Sequence, residues 1–300
     1  MNGVNLTISE LLNKEKNLQS ELKSNVKIRA PLSGHKHSSI KGRGIDFSEV
    51  REYQFGDDIR SIDWKVSART NKTHTKIYQE EKERPIMLCV DLGFSMRFAS
   101  TKAFKSVIAS HFSSLIAWAS FHHKDRVGAI IFNGKSHLEC RPKGGKQGVQ
   151  SIIKSLVQLH EKKNTAPNKN DLDNALLRLK KVIHPGTMIV IVSDFQNFSE
   201  NTRSLCRQLM KHNDIIFTFV YDELEKNAPK SNHYLISNGE KTTTLNTTQK
   251  SLKIEYEQLF KKRFDNIKQF SKQLKTTFIP IKTNDNLVDK INKHLSILIR

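Results

Sequence analysis

Between residues 85 and 222 the chain alternates short apolar runs with amphipathic ones, and that alternation constrains its fold more than any other feature. "PIMLCVD" (85–91), "RVGAIIF" (126–132), "TMIVIVSDF" (187–195) and "DIIFTFVYD" (214–222) are too short for helices and rich in β-branched residues. Between them, "TKAFKSVIASHFSSLIAWASFHH" (101–123), "GGKQGVQSIIKSLVQLH" (144–160), "NDLDNALLRLKKVI" (170–183) and "ENTRSLCRQLMKH" (200–212) are helical segments. In the first of these, apolar residues recur at i, i+3, i+4 and predict a helix with one apolar face. Strands apolar on both sides, repeatedly followed by helices, predict an α/β fold: a mostly parallel sheet with helices on both faces. "KSHLECR" (135–141) is expected to pair back on 126–132 across Asn133-Gly134 as a hairpin.

Beyond 222 the pattern loosens. "NHYLISNGEKTTTL" (232–245) reads as a small hairpin around Asn238-Gly239, and 249–275 as a long basic helix. "TTFIPIKT" is a last strand and 284–298 a closing helix. The basic helix offers its face to solvent, to a partner helix or to an anionic surface, so peripheral membrane association stays open. The N-terminal part, 1–84, carries a short helix candidate near 8–23, then a stretch dense in Arg, Asp, Glu and aromatics with little periodicity. Such interleaving of opposite charges with Phe47, Tyr53, Phe55 and Trp64 predicts a folded, ion-paired module. The expected organisation is therefore 1–84 as one module and 85–300 as the α/β domain.

Lys and Arg number 50 against 30 Asp and Glu, a formal charge of +20 that suits anionic partners, although most lysines are scattered, which favours solvated faces over a binding surface. Cys89, Cys140 and Cys206 are far apart and form no CxxC, which fits a reducing compartment. The N-terminus lacks a signal peptide's order, and no apolar run reaches the ~18 residues of a membrane helix. A cytoplasmic location is expected.

Three strands end in acids, Asp91, Asp194 and Asp222. Ligands of open α/β sheets sit at the carboxyl ends of strands, which puts Asp91 and Asp194 on one candidate rim. "MLCVDLGFSMRF" (87–98) adds Ser95 four positions after Asp91, a pattern that can hold a hard cation or simply cap a strand end.

"GRGIDFSEVREYQFGDDIRSIDWKVSART" (42–70), followed by "EEKERPIMLCVDLGFSMRF" (80–98), resembles the bacterial domain of unknown function 58 family. The shared features are Arg43, Asp46-Phe47, Val50–Tyr53, Gly56–Asp58, Arg60, Ile62–Trp64 and Ala68-Arg69, with "DRVG" (125–128), "SDF" (193–195) and "YDELE" (221–225) further on. The resemblance implies a von Willebrand factor type A-like, Rossmann-like domain after the Arg-rich module. It implies a MoxR-type AAA ATPase as neighbour and partner, and brings no catalytic activity. Relatives of the type A fold hold Mg²⁺ through Asp-x-Ser-x-Ser, a Thr and a further Asp. Here the corresponding positions are Asp91, Gly93, Ser95, Asn170 and Asp194, so a Ser and a Thr are replaced and the implied site is degenerate.

Arg43, Asp46, Arg51, Asp57, Asp58, Arg60, Asp63, Trp64 and Arg69 make either a surface that reads a partner's charges or an internal ion-pair lattice. Bidentate Arg–carboxylate pairing serves both. The lattice is favoured for Arg51, Asp58, Asp63 and Trp64. GxxxxGK[ST] is absent from "CRPKGGKQG" (140–148), which speaks against a nucleotide P-loop. "HKH" (35–37) and His122-His123 lack metal-ligand spacing. The leading expectation is a non-enzymatic protein-interaction module or adaptor. The alternatives are a binder of nucleic acid or anionic surfaces and, behind it, a metal-dependent phosphodiesterase.

Overall fold

The computed structural model describes residues 3–15, 41–42, 46–79, 85–162, 170–237 and 242–298. The chain divides into two compact units. The described part of Met1–Ile28 belongs with the larger unit, which continues from Arg84, and Arg29–Glu83 make the smaller one. The N-terminal helix α1 (Ile8–Leu12) therefore packs outside the module in which the sequence placed it. Its buried Leu11 gives the reason: the side chain joins the larger unit's core.

The smaller unit is an antiparallel sheet of β1 (Lys41–Gly42), β2 (Asp46–Glu52) and β3 (His74–Gln79), in the order β1-β3-β2. A bulge between Phe47 and Glu49 interrupts its register, and this broken alternation hides the strand from a period-two reading. Between β2 and β3 lie a 3₁₀ turn at Ile59–Ser61 and helix α2 (Trp64–Thr70). Gly56, at φ +103, turns the chain where a side chain would be strained.

The larger unit is built on a six-stranded sheet. Its strands are β4 (Ile86–Asp91), β5 (Val127–Phe132), β6 (His137–Lys143), β7 (Met188–Ser193), β8 (Asp214–Tyr221) and, after the hairpin β9 (His233–Ser237) and β10 (Thr242–Asn246), β11 (Thr277–Lys282). The order is β11-β8-β7-β4-β5-β6, and every neighbouring pair is parallel except β5 with β6, the expected hairpin. Strand alternation divides the core. Ile86, Leu88 and Val90 face one apolar cluster, and Met87 and Cys89 face another. The first cluster takes α1, α3 (Lys105–His122), α4 (Gly145–Glu161) and α9 (Leu287–Leu298). The second takes α5 (Asp171–Val182), α6 (Glu200–Leu209) and α8 (Lys250–Gln273). No helix among the described residues is long and apolar enough to cross a membrane.

Helix α3 departs from expectation. The sequence predicts one apolar face, yet the helix is buried all round from Lys105 to Ser120. Small serines make this tolerable, since Ser110, Ser114 and Ser120 return their hydroxyls to carbonyls of their own helix. His111 lies in the same helix, 1% exposed, and neither ring nitrogen has a hydrogen-bond partner among the described residues. Burial, with the nearby Lys14 charge, lowers its imidazole to about 3. The folded chain thus holds His111 neutral, while an unfolded chain takes up a proton below about pH 6.5. The stability from neutral His111 is complete above that pH and declines as pH falls toward 3. His111→Leu is expected to remove about 2 kcal/mol of the stability lost between pH 6.5 and pH 5, measured by urea unfolding at both.

Candidate functional site

The sheet reverses its direction of growth between β4 and β7, with β5 and β6 added on one side and β8 and β11 on the other. A crevice at the carboxyl ends of these two strands is where such sheets bind ligands. Asp91 ends β4, and Ser193 and Asp194 end the β7 run. Val90 stands opposite Val192, so the pleat brings Asp91 to Ser193 on one face. Asp194, one residue on, turns toward the α3 side.

Geometry follows that division. Asp91 accepts hydrogen bonds from the Ser193 hydroxyl (2.7 Å) and the Gly93 N–H (2.8 Å). Asp194, fully buried, accepts from the Lys105 ammonium at 2.7 Å, the Gln196 N–H at 3.1 Å and the Ser95 hydroxyl. Phe195 between them takes a left-handed backbone, φ 51, which tightens the turn. The Lys105 ammonium, itself 1% exposed, also reaches Glu225 at 2.9 Å, and Arg263 reaches the same Glu225 oxygen at 3.1 Å. The other Glu225 oxygen accepts from the Asp222 N–H, closing a capping box on α7 (Glu223–Lys226). Asp222 is spent as well, accepting from Leu224 N–H, Ser100 N–H and the Thr283 hydroxyl.

Burial opposes the charges of Asp194, Lys105 and Asp91. The Lys105 and Arg263 charges outweigh it for Asp194, whose carboxyl stays below the usual range, and Asp194 and Glu225 hold Lys105 above its ordinary value. Among the described residues, Asp91 has no such cation. Burial and the Asp194 charge push it up to about 7, and burial raises Asp171, at the head of α5, to about 6. An acid raised in the folded state costs nothing below its ordinary value near pH 4 and progressively more up to about pH 7. Asp91→Asn is therefore expected to gain about 1–3 kcal/mol over wild type above pH 7 and nothing at pH 4, read from unfolding across that range.

The four residues implied for Mg²⁺ do not assemble an oxygen cage. Asp91 and Asp194 face donors, Ser95 is bonded to Asp194, and Asn170 is exposed at the head of α5. At Gly93, a Cβ would stand 2.9 Å from an Asp91 oxygen, so a serine there needs Asp91 to move. An ammonium and backbone N–H groups repel a dication, and the described donor set does not fit one. Lys105, Glu225 and Arg263 went unread in the sequence. The available signal was Lys105, a cation opening an apolar helix against its dipole.

In the smaller unit the expected lattice is partly present. Arg51 pairs with Asp57 at 2.7 Å, Asp58 caps the 3₁₀ turn, and Asp63 caps α2 and pairs with Lys76 at 3.5 Å. Trp64 is a correction: it is 70% exposed, with Phe55 and Ile59 exposed beside it in sequence. These ion pairs and caps are short-range, so they close without covering the indole. Arg60 and Arg69 are exposed. Arg43 and the "HKH" stretch lie outside the described residues, and for Asp46 only the backbone pairing with Gln79 is described.

Elsewhere on the larger unit, a groove of about 330 Å³ opens beside the end of β8, floored by Tyr221, Phe260 and Phe264 and edged by Lys226, Glu257 and Lys261.

Comparison with known proteins gives one family: the model described as "Protein of unknown function DUF58" matches residues 49–265. Uncharacterized proteins of Mycobacterium bovis and Mycobacterium tuberculosis are 26% identical over 220 residues, 73% of this chain and 68% of theirs. Among solved structures, the conserved hypothetical protein BatB from Bacteroides thetaiotaomicron has a TM-score of 0.48 at 14% identity, covering 72% of this chain and 98% of that one. An aerotolerance-related membrane protein from Bacteroides fragilis has a TM-score of 0.44, also at 14% identity, covering 71% and 99%.

Proposed function

The chain belongs to the DUF58 family, and from that premise we propose that it is a non-enzymatic protein-binding module whose partner is a MoxR-type AAA ATPase. The partner class comes from the sequence resemblance, as does the von Willebrand factor type A-like reading of the larger unit. One observation carries the binding reading: Phe55, Ile59 and Trp64 are 105%, 66% and 70% exposed within ten positions of a scaffold whose neighbouring acids are spent on caps and ion pairs. Large apolar side chains exposed this close together in sequence favour an interaction surface, and aromatics dominate binding energy at interfaces.

The rim takes a different part from the one its acids suggested. Asp194 is sealed beneath it and cannot meet a partner, so this carboxylate shapes the rim from inside. The Tyr221–Phe260–Phe264 groove, with Lys226, Lys261 and Glu257 at its edge, is a surface of the larger unit suited to an apolar side chain with polar neighbours. Phe55→Ala/Trp64→Ala is expected to abolish co-purification of the ATPase while thermal unfolding stays within a few degrees of wild type. Full recovery of the ATPase with that variant removes the exposed aromatics from the interface.

A further inference from the structure

We propose that Lys105 is a resident cation built in behind the β4/β7 rim, its ammonium taking Asp194 out of the Mg²⁺ ligand set that the sequence resemblance implies, so that this chain's rim works without metal. The inference goes beyond the docking reading and concerns the rim's own chemistry.

Three observations converge on it. The Lys105 ammonium lies 2.7 Å from Asp194 and 2.9 Å from Glu225, bridging two carboxylates from different elements as a metal would. It is 1% exposed, so solvent cations do not compete for the place. It also opens a helix, where the backbone dipole disfavours a positive charge, and only the two carboxylates justify it there. The missing ligands fit the same account. An ammonium donates hydrogen bonds and needs acceptors, not a full octahedron, so glycine at 93 and asparagine at 170 leave nothing incomplete. Functionally, a tethered cation cannot be chelated or exchanged. Being sealed, it also offers no open coordination position to a partner carboxylate.

The same geometry says what happens when the lysine is removed. Lys105→Ser leaves Asp194 and Glu225 facing a vacated space that keeps a net negative charge even with Arg263 still bonded to one Glu225 oxygen, and a drawing-in of about 0.7 Å brings the carboxylate oxygens from ammonium to metal distance, near 2.1 Å. The test uses the purified full-length chain and Mn²⁺, followed by the electron paramagnetic resonance signal of free Mn²⁺ and by thermal unfolding with Mn²⁺ or EDTA. Wild type and Lys105→Arg are expected to bind no Mn²⁺ tighter than about 1 mM and to unfold identically in both. Lys105→Ser is expected to unfold earlier in EDTA, to be restored in part by Mn²⁺, and to bind it at least tenfold tighter than wild type. Adding Asp194→Asn to that variant abolishes the response. Asp194-dependent Mn²⁺ binding by wild type overturns the proposal, as does a folded Lys105→Ser that ignores Mn²⁺. Should Lys105→Ser fail to fold even with Mn²⁺, the wild-type and Lys105→Arg titrations still decide.

Discussion

Lys105→Met is expected to lower the stability of this chain by about 3–5 kcal/mol, the loss typical of a buried ion pair broken on one side. Asp194 is fully buried, and its hydrogen bonds from Gln196 and Ser95 do not supply a positive charge. Glu225 fares better, because Arg263 reaches the same oxygen. The damage therefore concentrates on Asp194, and Lys105→Met/Asp194→Asn is expected to recover more than half of the loss. Urea unfolding of the two single variants and the double variant measures this coupling. Strict additivity would mean that the pair does not act as a unit.

Phe219→Ala is expected to cost a similar about 3–5 kcal/mol, for a different reason. Its ring, fully buried, lies within 5.3–6.2 Å of Phe195, Tyr221, Phe260, Phe264 and Phe278. The cluster joins β8 and β11 to α8, and Arg263 lies over the Phe219 and Phe260 rings at 5.8 and 5.7 Å. Truncation opens a cavity between rigid rings that collapse poorly, and it loosens the seat of the arginine that steadies Glu225. Phe219→Leu is expected to lose about half as much. Leu259, on the same helix but 65% exposed, should tolerate alanine nearly unchanged. Denaturant midpoints of the three variants give the ranking, and equal losses at 219 and 259 would contradict it.

The sheet was legible in the sequence because its strands are continuous apolar runs, and their type survives any uncertainty in order. Strand order was not, since parallel neighbours are set by helix packing across the sheet and leave no local mark. The smaller unit's strands were missed because a bulge and alternating charges erase the period of two. At the rim, the acids were legible as strand ends, but their role was not. Whether a carboxylate faces solvent, metal or ammonium depends on side chains up to 120 residues away, as in the Lys105–Glu225 pair. Trp64 shows the converse. Its neighbours Asp58 and Asp63 satisfy themselves locally, and nothing in their spacing reveals that the indole stays outside.

The central claim is that partner binding runs through exposed aromatics and needs no divalent ion. Titrating a purified MoxR-type ATPase with the wild-type chain in Mg²⁺ and in EDTA, its own nucleotide state held fixed, tests this most directly when Phe55→Ala/Trp64→Ala is run in parallel. The expected result is the same affinity in both buffers and a loss of at least about 100-fold, near 2.7 kcal/mol, for the variant. Binding that vanishes in EDTA, or that is indifferent to the loss of both aromatics, would contradict it.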